Sequence, residues 1–343
     1  MTGFVKQVSF GNTGLKISPI IVGCMSYGSK NWAEWVEDDK NTIFGILKYC
    51  YDKGLRTFDT ADYYSNGLSE KLLGEFLVKY NIKRETVVIM TKIFFPFDET
   101  LNLKSNTPLS ELQELDVVNQ RGLSRKHILD GVEKAIARLG TYIDVLQIHR
   151  FDPETPIKET MKALNDVIES GHVRYIGASS MLATQFAEMQ FIADKYNWFQ
   201  FVNAQSMYNL VYREDERELI PFCKRHNIAL TPWSPNHRGF LTRPIGTKSL
   251  RSESDRFTIN KLRDNVLESD IKIVKRVEEL AEKKGVSMAA ISTAWVVSKG
   301  CQPIIGLSKT ERVDDAISAL SVTFTDEELK YLEDPYKPKN YIL

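Results

Sequence analysis

The chain has 343 residues, 43% of them hydrophobic and 26% charged, a balance that can bury a sizeable core and is unlike that of disordered or collagen-like chains. Its 45 Lys+Arg against 45 Asp+Glu leave no net charge, so there is no global field of the kind that holds nucleic acid, and an anionic ligand has to be gripped locally. Four scattered cysteines, Cys24, Cys50, Cys223 and Cys301, form no C-x-x-C pair, which argues against a zinc ribbon, a thioredoxin motif or a disulfide framework and fits a reducing compartment.

The opening segment Val5-Lys6-Gln7-Val8-Ser9-Phe10 alternates in polarity, turns at Gly11-Asn12-Thr13-Gly14 and resumes at Leu15-Lys16-Ile17, which reads as a hairpin capping the fold over residues 1–18. Short apolar runs then alternate with amphipathic stretches: 20–23, 42–51, 56–59 and 68–77 read as strand, helix, strand, helix. Val87 to Met90 is the next strand, followed by a helix with Ile128, Val132, Ala135, Ile136 and Leu139 on one face and Ser124 as its N-cap. Ile143 to Ile148 leads to a helix opened by Thr155-Pro156, where proline suits the first helical position. Further strands are expected at 173–177, 201–204 and 228–231, and a last one at 303–305 runs into a helix over 310–320. About eight such units, with strands this short and apolar, specify a parallel sheet covered by helices, an α/β fold of the (β/α)8 TIM-barrel kind in which residues 1–343 form one domain. Two connections, 93–123 and 236–269, exceed the usual length of about 2 to 6 residues. Both leave C-terminal strand ends, the face on which such a barrel keeps its active site.

Missing motifs narrow the chemistry. No two glycines lie two positions apart, so G-x-G-x-x-G cannot be written, and G-x-x-x-x-G-K and H-E-x-x-H are absent too. The histidines, at 127, 149, 172, 226 and 237, show no metal-ligand spacing among themselves, so no metal site is expected. The N-terminus lacks a signal-peptide pattern and no apolar run approaches the roughly 20 residues needed to span a bilayer. The expectation is a cytoplasmic protein without membrane or nucleic-acid partners.

The informative residues stand at strand ends. Asp59-Thr60-Ala61-Asp62-Tyr63-Tyr64 follows the second barrel strand, Thr91-Lys92 ends the third and Gln147-Ile148-His149 the fourth. Successive barrel strands aim these ends at one pocket, so Asp59, Tyr64, Lys92 and His149 are expected to converge. A phenol with a pKa of about 10 is a reluctant acid, but a nearby cation favours the phenolate. Lys92 would supply that cation, Asp59 would hold it in place, and His149 would orient a carbonyl substrate. Taken singly, each has an ordinary structural explanation; their joint occurrence at neighbouring strand ends makes them a catalytic set.

With these residues in place the chain resembles the aldo-keto reductases, nearest the branch that includes aryl-alcohol dehydrogenases, over nearly its whole length. Phe58-Asp59-Thr60-Ala61-Asp62-Tyr63-Tyr64 and Gly67-Leu68-Ser69-Glu70-Lys71-Leu72-Leu73-Gly74 repeat the family's best-known stretch, and Asp59, Tyr64, Lys92 and His149 match its catalytic tetrad. The resemblance implies NADP(H) as cofactor and a small carbonyl or alcohol as substrate, with Tyr64 as general acid in reduction and as base in the reverse direction. It implies further that Ser179, Ser180 and Gln205 hold the nicotinamide carboxamide and that Trp233-Ser234-Pro235 lies against the ring. The loop Asn236-His237-Arg238-Gly239 would run over the pyrophosphate, although Asn236 and His237 stand where the branch more often has apolar or small residues. Gly306 opens the stretch that would hold the adenosine phosphate, in which Ser308, Lys309 and Arg312 would bind the 2′-phosphate at the start of a helix, where backbone N–H groups already favour an anion, and Asp315 would contact adenine. Tyr27, Trp32, Phe94 and Phe95, in the loops after the first and third strands, are expected to line an aromatic substrate pocket. The alternative to an enzyme is an NADP(H)-binding redox sensor or regulatory subunit with little turnover, as in the related potassium-channel β subunits; nothing in the pattern specifies an oligomeric state.

Overall fold

A computed structural model describes residues 4–247, 249–262 and 266–342. The ends of the expected 1–18 cap and of the 1–343 domain, and part of the 236–269 connection, lie outside these residues. Polarity alternation around Gly11 does produce a hairpin, with β1 (Val8–Ser9) antiparallel to β2 (Lys16–Ile17). Gly11 sits at φ +55°, and a Cβ there would come within 2.7 Å of the Asn227 carbonyl and 2.8 Å of the Ala229 nitrogen, so only glycine lets the turn approach the barrel floor. Phe10 and Ile17 are fully buried and pack with Ile21, Val88, Met90, Val145, Ala229 and Ile304. The hairpin therefore plugs the N-terminal mouth of the barrel.

Eight parallel strands follow, each separated from the next by helical chain. β3 (Ile21–Gly23), α1 (Lys40–Lys53), β4 (Thr57–Asp59), α2 (Leu68–Lys79) and β5 (Val88–Ile93) make the first units. The connection after β5 holds a short α3 (Glu111–Val117), started by a capping box between Ser110 and Gln113, and then come α4 (Arg125–Leu139) and β6 (Ile143–Ile148). α5 (Ile157–Glu169), β7 (Val173–Ser179), α6 (Ala183–Lys195), β8 (Phe201–Gln205), α7 (Leu219–Arg225) and β9 (Ala229–Leu230) complete seven strands. The second long connection carries a 3-10 segment (His237–Thr242), α8 (Leu250–Ser254) and one π turn (Thr258–Leu262). After it come α9 (Glu268–Lys284), α10 (Met288–Ser298), β10 (Ile304–Gly306), α11 (Thr310–Ser318) and α12 (Asp326–Glu333).

The eight strands pair in the order β10-β3-β4-β5-β6-β7-β8-β9, the last strand of the chain lying beside the first of the barrel. The ring closes where Gln302 N donates to Leu230 O at 2.8 Å and Ile304 N to Pro232 O at 2.9 Å, so no edge strand is left open. Between strands and helices lies the main core, to which α4 contributes Ile128, Val132, Ala135 and Leu139 at helical spacing. Each such burial is worth roughly 1.5–3 kcal/mol for the larger aliphatic side chains. Ser124 caps α4 by accepting from His127 N, as its sequence position predicts, whereas Pro156 is the N-cap of α5 and helical geometry begins only at Ile157. Proline has no N–H to lose at either position, so the one-residue shift carries no penalty.

Candidate active site

In-register pairing fixes which side chains meet. Gly23 lies beside Asp59, Lys92 beside Gln147 and Ser179 beside Gln205, all at the C-terminal strand ends. Asp59 ends β4, and the chain then makes a tight turn in which Tyr64 N donates to Ala61 O at 3.2 Å. Ser65, Asn66 and Gly67 follow at φ +52°, +52° and +78°, a run of left-handed residues that reverses the chain into α2. The turn is anchored from below: Thr60 Oγ1 donates to Ser69 Oγ and Ser69 Oγ to Cys24 O, both at 2.9 Å. Glu70, fully buried, accepts from Thr91 Oγ1 at 2.5 Å and from Arg138 at 2.7 Å. Strained backbone held by such a network is what positions a reactive side chain.

Lys92 Nζ donates to Asp59 Oδ1 at 2.5 Å, to Thr60 O at 2.9 Å and to the Tyr64 hydroxyl at 3.3 Å. Asp59 is held from its other oxygen by Gln147 Nε2 at 3.1 Å and Gln205 Nε2 at 2.9 Å. Asn203 Nδ2 extends the amide chain, donating to Gln147 Oε1 and Thr231 Oγ1 at 2.9 Å each. The His149 ring stands edge-on to Tyr64 with centroids 5.8 Å apart, and its buried Nδ1 has no hydrogen-bond partner. Burial works against the Lys92 ammonium, yet Asp59 and Tyr64 outweigh it and hold its pKa above the ordinary lysine value. Burial, reinforced by Lys92 and Arg150, takes His149 well below the usual imidazole range, so the ring is neutral at pH 7. Tyr64 differs from the sequence expectation: burial raises the phenol's pKa, and the Lys92 charge offsets only part of that rise. The phenol is thus firmly protonated in the free protein, and Lys92 is placed to favour phenolate only as the proton leaves.

One cavity of about 1380 Å³ opens over this cluster. Its walls include Asp59, Tyr64, His149 and Phe94 with Phe95 at one part, and Ser179, Ser180, Gln205, Trp233, Ser234, Pro235, Arg238 and Gly239 at another; Gly306, Ser308, Lys309, Arg312 and Asp315 complete the wall. Lys92 lies behind Asp59 and Tyr64 and is not part of the lining. Neither are Tyr27 and Trp32, which corrects their expected place in a substrate pocket. Tyr27 turns inward and donates its hydroxyl to Leu307 O. Trp32 is buried against Trp35, Tyr63 and Tyr64, so it supports the Tyr64 turn from behind.

The remaining groups suit a long ligand with a polar head and an anionic tail. Trp233 Nε1 donates to Ser180 Oγ at 3.0 Å, which fixes the indole, and Gln205 spends its amide donors on Asp59 and Gln147. Ser180, Ser234 and Arg238 have φ of +37°, +53° and +53°. At the far part, Arg312 Nη1 donates to Ser308 Oγ at 2.7 Å, and Arg243 has its pKa lowered by burial and by neighbouring Arg312. Two guanidinia lining one wall beside the N-terminus of α11, with Lys309 as its N-cap, give this corner the positive charge and free backbone N–H groups that suit an anionic group. Sequence reasoning missed Arg150, Arg243, Arg251, Trp35 and Phe257, all of which line the cavity. Arg150 had a readable signal, since it directly follows a strand-end candidate. Arg251 sits on the short α8, and neither it nor the others belong to a stretch whose periodicity would expose them.

A family model described as "Aldo/keto reductase family" matches residues 19–337. The Saccharomyces cerevisiae protein named "Putative aryl-alcohol dehydrogenase AAD16" is 68% identical over 335 residues, 98% of this chain and 98% of that protein. Versiconal hemiacetal acetate reductase of Aspergillus parasiticus is 49% identical over 337 residues, again 98% of each. Aldo-keto reductase AMT2 of Alternaria alternata is 43% identical over 334 residues, 95% of this chain and 90% of that protein.

Proposed function

The chain belongs to the aldo/keto reductase family, oxidoreductases of small carbonyl compounds, and we propose that it reduces aldehydes and ketones, aryl aldehydes among them, to alcohols with NADPH. The observation that carries this reading is the single ammonium of Lys92 bonded to both Asp59 and Tyr64 at the cavity wall. NADPH, when bound, supplies the hydride that the carbonyl carbon receives. The chain's own part is to hold the carbonyl oxygen between Tyr64 and neutral His149 and to deliver a proton from the Tyr64 hydroxyl to that oxygen as charge builds on it. Proton delivery of this kind contributes typically about 10²–10⁴ in rate. As the proton departs, the Lys92 ammonium 3.3 Å away stabilises the phenolate, and Asp59 keeps the ammonium aimed. His149 adds no positive charge of its own.

The residues fit the cofactor. Ser179, Ser180 and Gln205 would hold the carboxamide, Trp233, Ser234 and Pro235 would face the ring, and Arg238 and Gly239 would cover the pyrophosphate. Ser308, Lys309 and Arg312, with Gly306 beside them, would take the 2′-phosphate, the group that distinguishes NADPH from NADH, and Asp315 would meet adenine. The neighbouring guanidinia Arg243 and Arg312, neither paired with a carboxylate among the described residues, support the choice of the phosphorylated cofactor. We place the protein in the cytosol as one barrel domain: all four cysteines are buried free thiols, and among the described residues no helix is long and apolar enough to cross a membrane.

The test is steady-state oxidation of NADPH, with NADH alongside, across benzaldehydes, pyridoxal, short aldehydes and diketones. Turnover with NADPH that disappears in Tyr64→Phe while cofactor binding persists is the expected result. Tight NADPH binding without turnover of any carbonyl would instead make the protein a sensor, and undiminished turnover in Tyr64→Phe would remove the assigned proton donor.

A further inference from the structure

Reduction as described gives no task to Arg150. Arg150 follows His149 at the end of β6 and lines the cavity. Its Nη1 donates to the His149 carbonyl at 2.6 Å. The guanidinium lies 5.4 Å from the centroid of Phe95, whose ring is 4.9 Å from the His149 imidazole. No carboxylate among the described residues pairs with it. The acids of the cavity wall are otherwise engaged or remote: Asp59 holds Lys92, Asp315 accepts from Ser287 Oγ, Glu37 accepts from the backbone of Asp38 and Asp39, and Glu34 is exposed to solvent.

The surrounding charge is positive. Arg238 and Arg251 both pair with the one carboxylate of Asp255, and both are within electrostatic reach of the site, Arg238 acting on Arg150 and Arg251 acting with Tyr64. Arg238 and Arg251 thus share one carboxylate, and Arg150 beside them pairs with none among the described residues. Burial, with Arg238 adding to it against the pull of Tyr64, brings Arg150 down to about 10, which still leaves it charged at pH 7. A partly buried cation without a counter-ion is unfavourable until an anion joins it, and the planar fork of arginine matches a carboxylate in two parallel hydrogen bonds. The phosphate groups of the proposed dinucleotide would have their own partners in Arg238, Arg243, Lys309 and Arg312, all on the cavity wall. The wall beside Arg150 is aromatic: Phe95 meets its guanidinium, and Phe94 and Tyr63 pack on Phe95.

We propose that Arg150 is the specificity-determining residue of the substrate pocket, binding a carboxylate, so that the preferred substrates are aryl aldehydes carrying a carboxylate group. The inference rests on the reductase reading and narrows it to a substrate class. The carboxylate would lie against Arg150 while the aldehyde reaches Tyr64 and His149, with the ring between Phe95 and the opposite aromatic wall.

The experiment compares kcat/KM for 4-carboxybenzaldehyde and methyl 4-formylbenzoate at saturating NADPH, since the ester keeps the ring and removes the charge. The full-length chain is expected to favour the carboxylate by roughly tenfold or more, the scale of one charged hydrogen-bonded pair, and mainly through KM. In Arg150→Gln that ratio should fall to about one or below, and Arg150→Lys, which keeps charge without the fork, should retain part of it. Equal or better use of the ester by the unaltered protein overturns the proposal, as does a preference that survives in Arg150→Gln. So does a variant whose only change is a raised KM for NADPH, because Arg150 would then hold the cofactor. Should neither aldehyde turn over, the reductase reading fails separately. Calorimetric titration of 4-(hydroxymethyl)benzoate and its methyl ester then decides the proposal: tighter carboxylate binding that is lost in Arg150→Gln sustains it, and equal binding of the two overturns it.

Discussion

A buried phenol keeps its proton, and Tyr64 is useful as an acid only because Lys92 answers the charge that the departing proton leaves behind. The two side chains therefore act as one unit, and such units lose activity non-additively. Tyr64→Phe and Lys92→Met are each expected to lower kcat by about 10²–10⁴, and the double variant should be no slower than the slower single variant; multiplied losses in single-turnover measurements would separate their roles. The structural cost differs between them. Lys92→Met strands Asp59 in a site where it is 2% exposed, and removal of one partner of a buried pair costs roughly 3–5 kcal/mol. Urea unfolding should show Lys92→Met well below Tyr64→Phe in stability, with Asp59→Asn added to Lys92→Met recovering part of the loss. The four polar residues were legible in the sequence because each ends a strand or follows one within a short turn. Tyr27 and Trp32 were not, because aromatic character in a loop says nothing about which way the ring turns, and here the Leu307 carbonyl and the Tyr63 and Tyr64 rings decide it.

Elements were legible to the extent that burial made them periodic. α4 has a single buried stripe and a capping serine, and β6 was read to the residue, because it runs buried along its whole length. α3 escaped although Ser110-Glu111-Leu112-Gln113 spells a capping box, since Leu112 and Leu115 remain exposed and supply no core-facing stripe. The contact between α2 and α4 depends on something subtler still. A Cβ at Gly74 would lie 2.5 Å from Leu139 O and 2.8 Å from Arg138 O, both rigid helix backbone, so the two helices approach only because a side chain is missing. Gly74→Ala has to push them apart, and overpacking of this kind costs about 1–3 kcal/mol, more than alanine's better helix propensity returns. A lowered melting temperature is expected, with kcat/KM of the folded protein little changed; a gain in stability would show that the contact is loose.

At the scale of the whole molecule, the barrel and its covering connection are stitched together by the C-terminal segment. Tyr336 Oη and Lys339 N both donate to Glu214 Oε1, at 2.5 and 2.7 Å, and Lys339 Nζ reaches Asp270 Oδ2 at 2.6 Å on α9. That clasp holds the end of the connection beside which His237 is buried, its pKa lowered to about 3 by burial first and by Lys339 and Arg238 next. An imidazole that stays neutral in the fold but takes a proton near 6.5 when unfolded makes the unfolded state bind more protons, so stability is whole above about pH 6.5 and falls with pH toward the folded value. Integrated from pH 7 to pH 5, one such histidine removes about 2 kcal/mol. Other buried groups titrate in the same window with the opposite sign, Asp215 among them, raised to about 6 by burial, so the total pH slope does not isolate the effect. A difference does: relative to His237→Gln, which cannot take the proton, the unaltered protein should lose about 2 kcal/mol between pH 7 and pH 5. Urea midpoints that shift in parallel for the two proteins would mean that His237 already exchanges its proton with water in the folded state, and that the connection over the cavity opens far more readily than its buried contacts suggest.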